Sequence, residues 1–85
     1  KEIKTMSNIK KYNDAFCETF EIELENLDEL EYQSIQAWDS VGHMALMATL
    51  EESLEIEMEI DDIIEFSSYK FGKEVVKKYG VDLDG

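Results

Sequence analysis

Residues 38–52, WDSVGHMALMATLEE, carry the clearest helical pattern in this 85-residue chain. Asp39 is a residue type that caps helix N-termini, and apolar side chains recur after it at helical spacing. These apolar side chains belong to Val41, Met44, Ala45, Met47, Ala48, Leu50 and Leu54. The pattern predicts a helix that begins directly after Asp39 and holds Ser40 in its first turn.

A second amphipathic helix is predicted on the N-terminal side, with Ser7 as its N-cap and its end near Phe20 or Ile22. Its apolar face consists of Ile9, Tyr12, Phe16 and Phe20, with Cys17 at the edge. Beyond this helix the apolar spacing drifts, which predicts a long ordered connection with a short helical turn. The expected anchors of the connection are Leu24, Leu27, Leu30, Ile35 and Trp38.

Residues 54–60 alternate strictly between apolar and acidic types. A single strand would have no pairing partner in this chain, so we expect an extended linker that buries alternate residues. Residues 61–66 then predict a short helix with Asp61 near its cap. A last helix is expected, capped by Ser67 or Ser68 and ended by Gly80. Its inward-facing residues are expected to be Tyr69, Val75, Val76 and Tyr79.

Together these elements predict an all-α fold, a small bundle of about four helices with three longer and one short. The long connection lies between helices one and two. With 85 residues the chain allows a single domain, residues 1–85. Residues 81–85 are expected to form a tail.

The charge distribution narrows the choice of partner. The formal net charge is −13, all eight basic residues are lysines, and none of them lies between Tyr12 and Tyr69. Such a surface repels nucleic acids and anionic membranes. It favours a protein partner with a basic patch, although acids that serve solubility alone are equally consistent with the composition.

Cys17 is the single cysteine and His43 the single histidine of the chain, which excludes an internal disulfide and a structural zinc site. No apolar run approaches the roughly 20 residues of a membrane span. We therefore expect a cytoplasmic monomer without a bound metal. Residues 82–85, DLDG, resemble the start of a calcium loop, but the remaining ligands would lie beyond them.

Ser40 and His43 lie three residues apart, a spacing that a serine hydrolase could use on one helix face. However, Trp38 occupies the position of the first glycine in a Gly-x-Ser-x-Gly elbow, and there is no glycine-rich oxyanion loop. We therefore expect no enzyme activity. The pair Asp39-Ser40 instead suits modification by another enzyme, because a phosphodiester in the first turn faces unpaired amides and the positive end of the helix dipole. The simpler alternative is a helix cap without further function.

The pair Asp39-Ser40, the aliphatic helix after it and the closing acids Glu51-Glu52 resemble the signature of the acyl carrier protein family. The expected helix order is similar too, so the resemblance covers most of the chain. It implies that Ser40 carries 4′-phosphopantetheine, donated by coenzyme A, with Asp39 as the adjacent cap. The terminal thiol of this arm would hold an acyl or aminoacyl cargo as a thioester. The residues expected to contact partner enzymes are Val41, His43, Met44, Met47, Glu51 and Glu52.

The implied partners are a phosphopantetheinyl transferase, a loading ligase or synthetase, and acceptor enzymes with basic surfaces. The sequence departs from carriers of bulk fatty-acid synthesis, which usually have acids where Gly42 and Ala45 stand and Leu where Val41 stands. This favours a stand-alone carrier of a specialised pathway that loads an amino acid, a short acyl group or a polyketide unit. Gly42 also suggests a close approach of another group, with simple tolerance of glycine in the first turn as the alternative.

Two further hypotheses follow from the resemblance. The space between the inner faces of the bundle could shelter an acyl chain, or the residues that line it could be core alone: Phe16, Phe20, Met47, Leu50 and Ile64. His43, when protonated, could pair with the phosphodiester, or it could be an exposed helix residue. The competing function for the whole chain is an unmodified acidic helical adaptor that binds a basic protein and does not need Ser40.

Overall fold

The computed structural model describes residues 7–83. Its helices are α1 (Asn8–Phe20), α2 (Ser40–Leu54), α3 (Ile60–Glu65) and α4 (Tyr69–Lys77), and a single 3-10 turn spans Leu27–Glu29. The described part of the chain contains no strand beyond one isolated bridge. The predicted all-α bundle of three longer helices and one short helix is therefore confirmed.

The side chains of Ser7, Asp39 and Ser68 cap α1, α2 and α4. Each accepts a hydrogen bond from the backbone N–H three residues further on, at 3.3, 2.8 and 2.9 Å respectively. These bonds satisfy amides that a helix leaves free at its start. The cap residues predicted for these three helices are confirmed, with Ser68 rather than Ser67 as the cap of α4.

The C-terminal end of α4 is closed by glycine, as predicted. Gly80 has a φ of 86°, its N–H bonds the carbonyl of Lys77 at 3.0 Å, and the N–H of Val81 bonds the carbonyl of Val76 at 3.3 Å. This pair of bonds is a Schellman motif, in which the left-handed residue carries no Cβ penalty when it is glycine.

The short helix α3 begins slightly earlier than predicted. Its N-cap is Glu59, without a side-chain cap bond, and Asp61 lies inside the first turn. In the linker before it, Met58 is buried and Ile56 is half-buried, as the alternation predicts, but Ile60 is 66% exposed. The prediction that alternate residues are buried is therefore wrong for Ile60, which is the first residue of α3.

An aromatic cluster forms the centre of the core, and Phe16 is its hub. The Phe16 ring lies 5.1 to 6.2 Å, between centroids, from five other rings. These rings belong to Tyr12, Phe20, Trp38, Phe66 and Tyr69. The cluster joins α1, the end of the connection before α2, the segment after α3 and the first residue of α4.

The long connection between α1 and α2 is ordered, as expected. Leu27, Leu30 and Trp38 are buried, and Ile35 packs against the core. Leu24, however, is 59% exposed and is not an anchor. It lies before the 3-10 turn that directs the next apolar side chain inward.

Residues 81–83 do not form a tail. Val81 and Leu83 are each 7% exposed and belong to the core. The Asn8 side-chain amide donates to the Asp82 carbonyl at 3.1 Å, which links this segment to the start of α1. The expectation of a tail is wrong for these three residues, and residues 84–85 lie outside the described part of the chain.

Candidate functional site around Ser40

Ser40 is the first residue of α2 and is exposed, as is Asp39 before it. The Asp39 carboxylate accepts a hydrogen bond from the Gly42 N–H at 2.8 Å, which fixes the first turn. Helix N-termini present free amides and a positive partial charge, an environment that favours an anion. The structure thus leaves Ser40 open to solvent at the end of α2 where a phosphodiester would be stabilised.

A groove of about 350 Å³ adjoins Ser40, between the N-terminal half of α2 and α3. Its lining is largely apolar. It is formed by Tyr32, Ser40, His43, Met44, Ile63, Ile64, Phe66 and Ser67. The groove is at the surface, so a group attached to Ser40 would have an apolar wall beside it.

His43 forms the inner part of this groove and bonds through both ring nitrogens. Its Nδ1 lies 2.9 Å from the Trp38 indole Nε1, and its Nε2 lies 2.7 Å from the Ile63 carbonyl oxygen. An indole N–H only donates, so Nδ1 accepts; the carbonyl only accepts, so Nε2 carries the proton. The pair of partners selects the neutral Nε2–H tautomer.

This geometry corrects both hypotheses for His43. The side chain is 9% exposed and counts as buried, so it is not an exposed helix residue or an exposed docking residue. Both ring nitrogens already have partners away from Ser40, so neither is available to a phosphodiester there. Helical spacing alone did not reveal this role, because the partners come from a loop and from α3.

Three aromatic rings surround the His43 imidazole. Its centroid lies 5.5 Å from that of Tyr32, 6.2 Å from that of Trp38 and 6.3 Å from that of Phe66. The plane of the Trp38 ring is nearly parallel to that of the imidazole, at 14°. The planes of the Tyr32 and Phe66 rings are inclined to the imidazole plane by 75° and 69°. His43 is therefore held in one orientation.

Gly42 is required by a close approach of the backbone. A Cβ at this position would lie 1.9 Å from the Ala37 carbonyl oxygen. The connection before α2 thus folds back onto the first turn of the helix. The suggestion that something approaches Gly42 closely is confirmed, and the approaching group is the chain's own backbone.

Both α2 and α3 carry exposed apolar residues, of which Met44 and Ile64 line the groove. Val41 is 78% and Met44 is 54% exposed, which agrees with a role in partner contact. Ile60 and Ile64 on α3 are 66% and 72% exposed and were not predicted as contact residues. Met47 is 1% exposed and belongs to the core, so its assignment to the partner surface is wrong.

The two acids at the end of α2 differ in role. The Glu51 carboxylate accepts a hydrogen bond from the Met58 N–H at 2.9 Å and is half-buried. It therefore holds the linker to α3, a structural role that the sequence did not predict. Glu52 is exposed and remains available to a partner.

The predicted interior shelter for an acyl chain is occupied by side chains. Phe16, Phe20, Met47 and Leu50 are all 5% exposed or less and pack in one core, whereas Ile64 is 72% exposed. Core interiors are close-packed, so this cluster leaves no room for a chain. The structure corrects the hypothesis: these four residues are core, and Ile64 lines the surface groove instead.

A polar cluster links α3 to the residues that follow α4. The Asp62 carboxylate accepts hydrogen bonds from Lys78 Nζ at 2.5 Å and from the Tyr79 hydroxyl, which itself accepts from the Glu59 N–H at 2.9 Å. The bond from Lys78, followed by that from Tyr79, lowers the pKa of Asp62. The same bond raises the pKa of Lys78. Local spacing does not distinguish Asp62 from the other acids, because its partners lie sixteen and seventeen residues away.

Within residues 7–83, no group of three or more His, Cys, Asp or Glu side chains is placed to hold a metal ion. The resemblance to a calcium loop at residues 82–85 extends outside the described residues. Among the helices described, none has the length and apolar character to cross a membrane.

A scan of protein-family models, a search of curated proteins and a search of solved structures each found no match. The family resemblance therefore depends on the Asp39-Ser40 pair and its helix, and the function has to be argued from the geometry around Ser40.

Proposed function

We propose that this protein is a phosphopantetheine carrier, with Ser40 as the attachment residue. The observation that carries the proposal is the exposed Ser40 at the N-terminus of α2, directly beside an apolar groove. The carrier would bring an acyl or aminoacyl thioester from one enzyme of a biosynthetic pathway to the next. It would have no catalytic activity of its own.

The attachment step needs chemistry from a partner enzyme. A phosphopantetheinyl transferase would remove the Ser40 hydroxyl proton, and the oxygen would attack the pantetheine-bearing phosphorus of coenzyme A. The pyrophosphate bond of coenzyme A breaks, the nucleotide part leaves, and a phosphodiester to Ser40 forms. This accounts for a serine without a general base of its own, since His43 is engaged elsewhere.

The residues around Ser40 have separate tasks in this proposal. The first-turn amides and the helix dipole stabilise the phosphodiester. The groove between α2 and α3 receives the apolar part of the arm or its cargo. Val41 and Met44 provide exposed apolar contacts for partner enzymes, and Glu52 an exposed acid.

The direct test is intact-protein mass spectrometry after incubation with coenzyme A and a broad-specificity phosphopantetheinyl transferase. Wild type is expected to gain one phosphopantetheine, and Ser40→Ala none. Ser53→Ala, in the same helix but far from its N-terminus, is the matched control and should be modified like wild type. A folded, initially unmodified wild type that gains no mass would contradict the proposal.

The competing function is an unmodified adaptor for a basic protein. The observation that favours it is the combination of a net charge of −13 with exposed apolar residues on α2 and α3. Such an adaptor would bind its partner equally well after Ser40→Ala. Both functions predict binding that weakens with salt, because exposed charges are screened. The mass measurement therefore separates them, and salt dependence does not.

A further inference from the structure

We infer that His43 is a positioning residue: it fastens α3 to α2 through the Ile63 carbonyl and so sets the groove beside Ser40. The inference deepens the proposed function and rests on it for its consequence in loading. The fastening itself is a property of the unmodified protein and is measured separately.

The helix α3 buries little apolar surface. Of its six residues, Asp62 alone is buried, while Ile60 and Ile64 are 66% and 72% exposed. Ile63 is half-buried against the core. Isolated helices this short are unstable in water, so contacts outside the helix must hold α3 in place. Ile63 supplies one apolar contact, and hydrogen bonds from His43, Lys78 and Tyr79 supply the polar ones.

The bond from His43 lies on the side that faces the groove. Ile63 is in the last turn of α3, where carbonyls lack an intrahelical partner. Its carbonyl receives a weak bond from the Phe66 N–H at 3.4 Å and a short one from His43 Nε2 at 2.7 Å. Since Ile63 and Ile64 form one wall of the groove and His43 and Met44 the other, this bond joins the two walls directly.

Trp38 makes the donor role of His43 obligatory. Its indole N–H occupies Nδ1, so the proton of the neutral imidazole must be on Nε2, aimed at Ile63. Trp38 is fully buried, and its backbone is bonded on both sides, from its N–H to Ile35 at 3.1 Å and from the Gln33 N–H at 2.9 Å. A rigid connection therefore fixes the imidazole, and the imidazole fixes α3.

Two substitutions separate the bonds of the imidazole. His43→Gln places an amide nitrogen at the position of Nε2 and keeps the donor to Ile63, but loses the acceptor for Trp38. His43→Asn places an oxygen at the position of Nδ1 and keeps the acceptor for Trp38, but does not reach Ile63. If the bond to Ile63 positions α3, the position of α3 should be preserved in His43→Gln and lost in His43→Asn.

The experiment measures hydrogen exchange of the α3 amides in the unmodified protein, with α4 amides as the internal reference for global stability. We expect α3 exchange in His43→Asn to be about two- to tenfold faster than in wild type, the range of one net hydrogen bond, and His43→Gln to stay close to wild type. A loss of global stability would instead accelerate exchange in α3 and α4 together. Equal α3 exchange in the two variants would overturn the inference.

Loading by the transferase supplies the functional readout. We expect KM to rise in His43→Asn with kcat nearly unchanged, because the variant alters the surface that the transferase recognises and not the attacking hydroxyl. In His43→Gln, KM should be close to that of wild type. An unchanged KM in His43→Asn would overturn the role at the site. If wild type itself were never loaded, the proposed function would fail. The comparison of α3 hydrogen exchange between His43→Asn and His43→Gln would then be the test of whether His43 holds α3.

A spectroscopic measurement on wild type keeps the inference testable even if a variant does not fold. Nitrogen-15 chemical shifts of the imidazole should show a protonated Nε2 and an unprotonated Nδ1 at neutral pH. The opposite tautomer would remove the donor to Ile63 and overturn the inference.

Discussion

The helices α3 and α4 follow one another in the chain but are held in opposite ways. In α4, Tyr69, Gly72, Val75 and Val76 are all buried against the core. In α3, Asp62 is the single buried residue, and its contacts are hydrogen bonds and an ion pair. The helix beside the groove is thus the one with the least apolar contact to the bundle.

This difference has a physical consequence for how each helix responds to change. Apolar burial is non-directional and spread over many atoms, so α4 is expected to leave the bundle only when the bundle unfolds. Directional polar bonds are few and can be broken one at a time. We therefore expect α3 to open locally at a lower free energy than α4, which suits the wall of a site that must admit partner enzymes.

The largest effect is expected where α4 packs most tightly. A Cβ at Gly72 would lie 2.2 Å from the Phe66 ring and 2.4 Å from the Tyr12 hydroxyl oxygen. Gly72→Ala should therefore lower the free energy of unfolding by about 1–3 kcal/mol, measured by urea denaturation. Lys70→Ala, at an exposed position in the same helix, is the control and should stay within about 0.5 kcal/mol of wild type. Equal stability of Gly72→Ala and wild type would refute the close contact of α4.

A smaller, local effect is expected on the anchor of α3. Bonds from Lys78 and Tyr79 lower the pKa of Asp62, so its ionised form stabilises the folded state. This stabilisation is present above the ordinary aspartate pKa of about 3.9 and is lost as pH falls through the lowered folded-state pKa. Asp62→Asn should therefore speed hydrogen exchange of the α3 amides at neutral pH. In this variant, the protection of these amides should change little as the pH is lowered.

The control for this prediction is Asp61→Asn, an exposed acid one position earlier in α3. It should keep both the neutral-pH protection and the acid sensitivity of α3. Hydrogen exchange at several pH values between neutral and acid, corrected for the intrinsic rate, measures both. If the two variants behaved alike, Asp62 would not be the anchor.

The smallest effect on stability is expected on the exposed face of α3. Ile64 is 72% exposed and lines the groove, so Ile64→Ser should change the free energy of unfolding by no more than about 0.5 kcal/mol. It should nevertheless raise the KM for loading, because an apolar contact beside Ser40 is lost. Leu24→Ser, at a 59% exposed leucine that lines a different groove, is the matched control and should leave KM unchanged. Identical KM values for the two variants would place the docking surface away from α3.

The helix order could be predicted because its determinants are local. Ser7, Asp39 and Ser68 cap the helix that follows each of them, and Gly80 closes the last one, so short windows of sequence contain the whole cause. The exposed Ser40 followed from the same local reasoning. Each of these features depends on residues within about one turn of each other.

The faces of α2 could not be predicted, because this helix is apolar on nearly every side. Met44 and Met47 have the same side chain and lie three residues apart, yet one is 54% and the other 1% exposed. Met47 belongs to the core, whereas Met44 lines the surface groove. His43 was misassigned for a related reason: its partners Trp38 and Ile63 belong to other segments.

The burial of Val81 and Leu83 has a consequence for the synthesis of this protein. The core receives side chains from both α1 and the segment after α4, and the Asn8 side chain bonds the Asp82 carbonyl. A nascent chain that still holds residue 83 inside the ribosome therefore lacks part of its core, however many helices it has formed. We expect its compact state to appear late, after Leu83 has emerged, and not helix by helix during translation.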